Sequence, residues 1–173
     1  MVQWWRQRRN HGAQQRALLA ALLTLLLVPS TVGLLKAETN VACPTALQVF
    51  GGDLPYVGVL QAWPAGQRPA ARQRCFPAGH ASGGFGLLGL VFLARRRRTR
   101  VSIVLGVLVL GWLMGLYKMA IGDHFFSHTW ISMLIGWLVS SVAGVWLGAG
   151  GRLSLSRAGE LECSCPYSYI DPK

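Results

Sequence analysis

Three of the four histidines in this chain of 173 residues, His80, His124 and His128, fall close to charge-free apolar runs, as do Lys36 and Lys118. Imidazole can attack phosphorus or protonate a leaving oxygen, while fixed cations and backbone N–H groups hold the negative oxygens of a phosphate. The stretch Pro77-Ala78-Gly79-His80 opens an apolar run, and at a helix start the free N–H groups and the dipole favour an anion. These residue types together point to phosphoryl transfer on a phosphate monoester or pyrophosphate. On a continuous helix His124 and His128 share a face, and Asp123 points about 100° from His124. The same four-residue step continues through Ser132, Gly136, Ser140, Gly144 and Gly148, a row of small residues of the kind that lets membrane helices approach closely. Gly111 and Gly115, with Ser82 and Gly86, offer matching surfaces. The His124-x-x-x-His128 spacing is also that of zinc proteases, but their motif needs Glu directly after the first histidine, and Phe125 stands there. No metal and no other cofactor is expected.

The elements that must position these residues are written in the charge pattern. Apolar residues make up 52% of the chain and charged residues 13%, about half the usual share, which excludes an ordinary soluble domain. Charge is missing from 17–35, 80–94, 101–117 and 129–151, runs of roughly 22 to 35 Å as helices against about 30 Å of hydrocarbon. The fold class is therefore all-α, a polytopic membrane helical bundle of about four transmembrane helices. The second run is the shortest, and Phe76 to Gly79 are expected to extend it.

Threading four spans leaves 1–16, 95–100 and 152–173 on one side with 12 of the 17 cations, and 36–79 and 118–128 on the other with five. That bias places both termini in the cytoplasm. The net charge of +11 thus reflects topology, with Arg95 to Arg98 as a cytoplasmic stop, and no nucleic-acid partner is expected. Basic residues ahead of the leucine-rich stretch also fit a signal peptide, but the apolar run continues through Pro29 to Leu35 without a clean cleavage site. The 36–79 loop, with Gly51-Gly52 and five prolines, reads as turn-rich and extended. Its Cys43 and Cys75 are candidates for a disulfide, whereas Cys163 and Cys165 in a polar tail read as reduced thiols.

Three segments carry a family resemblance. Lys36 with Cys43-Pro44, then Pro77-Ala78-Gly79-His80, then Tyr117-Lys118 with His124 and His128 resemble the three-part signature K-x6-R-P, P-S-G-H and S-R-x5-H-x3-D. This is the signature of the type 2 phosphatidic acid phosphatase and haloperoxidase superfamily, and the chain is most similar to its bacterial membrane branch. The resemblance implies His124 as nucleophile forming a phosphohistidine, His80 as general acid, and Lys36, Lys118 and the Gly79 amide as phosphate ligands. Five positions depart from the signature: Cys43 replaces its first Arg, Ala78 its Ser, Tyr117-Lys118 its Ser-Arg, and His128 the Asp that orients the nucleophile. Arg74 or Arg72 must then supply the missing cation, and His128 must fix the tautomer of His124.

The implied organisation is a phosphatase-like membrane domain over 1–151, with spans at about 14–35, 78–94, 101–120 and 127–149, and a cytoplasmic tail over 152–173. Such enzymes commonly have six spans with the motifs on the last four. The implied function is hydrolysis of a lipid phosphate or pyrophosphate at the extracytoplasmic face of the cell inner membrane, with membrane lipids as surroundings and oligomeric state open. The alternative is a catalytically impaired relative that binds lipid phosphates or a partner membrane protein.

Overall fold

The computed structural model describes residues 2–149, with side chains from residue 11 onward. The described residues form four α-helices: α1 (Val2–Glu38), α2 (Gly79–Gly86), α3 (Arg97–Ala120) and α4 (Phe126–Trp146). A 3-10 segment, Leu87–Phe92, continues α2. The segments His11–Glu38, Arg97–Ala120 and Phe126–Trp146 are long and apolar enough to cross a membrane, with 28, 24 and 21 residues. The chain is a helical membrane bundle.

The second run differs from expectation. It begins at Gly79 rather than at Phe76, and its last six residues tighten into 3-10 geometry, giving roughly 24 Å in all. The Phe76-Pro77 peptide bond is cis, and Phe76 to Ala78 lie outside the helix. α2 is the central element and touches α1, α3 and α4.

Because lipid tails are as apolar as leucine, burial alone drives little association, and close packing holds such helices together. Phe85 on α2 is fully buried with Ala78 and Ala81, against Leu108, Trp112 and Met133. Gly84 and Gly111 meet backbone to backbone, so that a Cβ on Gly84 would stand 2.9 Å from the Gly111 Cα. The row on α4 faces inward as far as its fourth small residue: Ser132, Gly136, Ser140 and Gly144 are buried. Gly148 lies beyond the helix end and is exposed. Leu26, Leu34, Leu138 and Trp146 stay exposed on the outside, where acyl chains solvate them.

The segment between α1 and α2 is turn-rich as expected, with short 3-10 turns at Pro44–Ala46 and Gln48–Phe50. Its two ends are stitched together. Cys75 donates its N–H to the Val41 carbonyl, Gln73 donates to the Asn40 side chain, and Cys43 and Cys75 form a disulfide with Cα atoms 5.1 Å apart. The Cys163 and Cys165 thiols and the 152–173 tail lie outside the described residues.

Candidate functional site

Each polar tip reaches the site by a local rule. α1 carries Lys36 in its last turn, where a cation suits the helix C-terminus. α2 starts at Gly79 behind Ala78, which offers no side-chain cap, so the first-turn N–H groups are left for an anion. Gly79 also brings that turn close to α1: a Cβ there would sit 3.6 Å from Lys36 Nζ.

α3 closes with Gly122 in the left-handed conformation, φ +75°. The Gly122 N–H bonds the Met119 carbonyl and the Asp123 N–H the Lys118 carbonyl, which is the Schellman pattern. That turn throws Asp123 back over the helix end, and Lys118 Nζ meets its Oδ2 at 2.8 Å. The turn also corrects two sequence expectations. α4 begins at Phe126, so His124 lies in the loop before it and the two histidines do not share a continuous helix. Asp123 is likewise off the helix and is the partner of Lys118.

The imidazoles meet nonetheless. His124 and His128 are both buried, with their Nδ1 atoms 3.5 Å apart and Cys75 Sγ 3.5 Å from His124 Nδ1. The same sulfur lies 2.7 Å from the Asp123 carbonyl; as half of a disulfide it has no proton to donate, and the contact is one of packing. Phe76 and Phe125 press edge-on against the His128 ring at centroid distances of 5.2 and 5.4 Å. With Nδ1 turned toward His128, His124 directs its Nε2 the other way. α4 is tied to α2 at this level by the Ala78 N–H to the His128 carbonyl and by the Ser132 hydroxyl to the Ala78 carbonyl.

Charge in the neighbourhood acts on the loop histidine. Burial first, then the positive charge of Lys36, lowers His124 from 6.5 to about 4; His80 and Lys118 push the same way and Asp123 opposes them. Asp123 is held below the usual carboxylate range, mainly by its hydrogen bond to Lys118. His80 sits exposed on the first turn of α2, near enough for its charge to reach both His124 and Asp123. Lys36, Gly79, His80, Lys118, His124 and His128 therefore gather at one end of the bundle.

The arginines stand differently. Arg72 Nη2 donates to the Glu38 carbonyl at 2.6 Å and faces the Glu38 carboxylate at 3.8 Å. Arg74 is exposed and, in extended chain where successive side chains alternate, lies opposite to the inward Cys75. Neither stands in for the signature arginine. The donor atoms of Cys75, His124 and His128 lie within 4.8 Å of one another, but a disulfide sulfur is no thiolate, which leaves two imidazoles and an incomplete metal set.

A hollow of about 390 Å³ opens beside His124, walled by Pro44, Thr45, Phe50, Met119, Ala120 and Phe125. Its lining is mainly apolar and excludes the lysines, so the cations and the hollow approach His124 from different directions. Sequence reasoning missed two neighbours of His124, Cys75 and the Asp123 partner of Lys118; the five-residue step from Lys118 to Asp123 across Gly122 was the available signal. Neither a curated protein nor a solved structure matches the chain. Residues 17–151 match the PAP2 superfamily, and the chain, with its histidines and lysines gathered at one bundle end, belongs to that family of phosphatases.

Proposed function

We propose that this protein hydrolyses a lipid phosphate or pyrophosphate at the extracytoplasmic face of the cell inner membrane, with both termini cytoplasmic, through a phosphohistidine. His124 Nε2 attacks phosphorus while the bond to the leaving oxygen breaks, and protonated His80 gives its proton to that oxygen. Water then attacks the phosphohistidine, neutral His80 takes the water proton, and phosphate leaves with His124 restored. Lys36, Lys118 and the Gly79 N–H hold the equatorial oxygens. His128 is a positioning residue that fixes the His124 tautomer through Nδ1. The hollow lined by Phe50, Met119 and Phe125 takes the apolar group that the phosphate carries.

The observation that carries this reading is the buried His124, its Nδ1 facing His128 and its ring within reach of the charges of Lys36, His80 and Lys118. Phosphate release from phospholipid monoesters and prenyl pyrophosphates by purified protein tests it, beside His124→Ala. Labelled phosphate should remain on the wild-type protein through alkali and leave in acid; equal background release by both proteins would remove the hydrolase reading.

A second reading, an impaired relative that binds lipid phosphates or a partner membrane protein, draws on the Lys118–Asp123 pair and on the arginines turned elsewhere. It predicts that wild-type protein retains lipid phosphate without releasing phosphate from it.

A further inference from the structure

The end of the bundle opposite the histidines holds a larger cavity, about 710 Å³. Its walls are Ala13, Gln14, Ala17 and Leu18 of α1, the 92–95 turn, Arg100 of α3 and the 148–149 segment after α4. Arg95 and Arg100 face it, and on its rim Arg16 Nη1 lies 4.0 Å from the position of a Cβ on Gly148. Arg100 is half-buried, with its Nε fixed on the Ala94 carbonyl at 2.9 Å. The carboxylates of the described residues, Glu38, Asp53 and Asp123, all belong to the histidine end or its loop. Among the described residues these arginines have no acidic partner.

Cations gathered in a cleft between spans call for an anion, and a second hollow says which kind. It shares Leu18 and Leu93 with the cavity and runs on between Ala21, Leu22, Leu25, Gly86, Leu87 and Leu90. From Leu18 to Leu25 this groove follows α1 for about 10 Å toward the bilayer centre. A cationic chamber opening into an apolar groove has the form of a phospholipid, with a head group on guanidinium forks and a chain against α1.

We propose that this cavity binds one anionic glycerophospholipid, its phosphate between Arg95 and Arg100 and an acyl chain in the groove beside Ala21. The site is separate from the histidines and stands whether or not they hydrolyse anything. Phosphate is the chemistry shared with a soluble anion, and the groove is what selects the lipid.

Native mass spectrometry on delipidated full-length protein, titrated with phosphatidylglycerol, phosphatidylcholine of the same chains, or glycerol phosphate, tests this. One phosphatidylglycerol should be retained in preference to the other two. Arg95→Gln and Arg100→Gln should each weaken it about fivefold, the effect of one cation beside an anionic head group. Ala21→Leu, which fills the groove without touching the arginines, should weaken phosphatidylglycerol and leave glycerol phosphate unchanged. Circular dichroism of each variant without lipid reports that the helices remain. Equal retention of the two phospholipids, glycerol phosphate binding as tightly as phosphatidylglycerol, or variants that bind like wild type would each overturn the proposal.

Discussion

His124 and His128 face each other through Nδ1 at 3.5 Å in the protein interior. One proton between the two rings satisfies both nitrogens and fixes the tautomer of each. A second imidazole thus faces His124 at the position where the family signature places a carboxylate.

Replacing His128 should separate orientation from binding. His128→Ala is expected to lower kcat on the order of 10²-fold with little change in KM, since its ring reaches the substrate only through His124. His128→Asp, which restores an acceptor at the same helix position, should retain most of the activity. Steady-state kinetics on a lipid phosphate would show it, and a His128→Ala enzyme as fast as wild type would end the positioning role.

The acid limb of activity should fall near pH 4. His124 is lowered from 6.5 to about 4 by burial and by the charge of Lys36, so it stays neutral and nucleophilic well into mild acid. Below 6.5 the unfolded chain takes up a proton that native His124 refuses. The stability held by the neutral ring is therefore complete above pH 6.5 and is lost as pH falls toward 4. Lys36→Met removes the like charge and should move the limb upward, which the pH profile of residual activity or NMR titration of His124 would reveal.

The Cys43–Cys75 disulfide closes a sequence separation of 32 residues, a constraint of about 4 kcal/mol on the unfolded chain in the entropy model. Because Cys75 Sγ also packs against His124, reduction should cost activity as well as stability. A Cys43→Ser/Cys75→Ser protein should melt and turn over like reduced wild type, and a chelator should leave the oxidised enzyme unaffected. Full activity after verified reduction would contradict the link to His124.

Thr129 is fully buried, and its hydroxyl is the buried side-chain polar atom without a hydrogen-bond partner among the described residues. It lies against Gly115, where any Cβ would run into it. Thr129→Val keeps the shape and removes the unsatisfied group, so a gain of about 1 kcal/mol is expected in reversible unfolding. Gly115→Ala should be destabilising, because its Cβ would collide with the Thr129 Cγ2.

Much of the architecture was legible because membrane spans are written as absence of charge, and the inward row on α4 as a four-residue step of small side chains. That Lys36, His80, Lys118, His124 and His128 meet at one end of the bundle was legible as well, since each stands at the same end of an apolar run. What escaped was set by single backbone choices. Gly122 is one of 21 glycines, and only the five-residue step from Lys118 to Asp123 around it marks it as one that turns left-handed and ends α3. The close approach of Gly89 to Ala21 and the course of Arg72 toward Glu38 are contacts remote in the chain.

The covalent bond between Cys43, just past α1, and Cys75, just ahead of α2, has a mechanical effect on the bundle. Two helices pinned at one rim cannot slide past each other along the bilayer normal there. When membrane thickness varies, the adjustment is displaced to the unpinned rim, where long arginine side chains can lengthen or retract. The histidine rim keeps its vertical register, so turnover should be nearly insensitive to the chain length of the surrounding lipid.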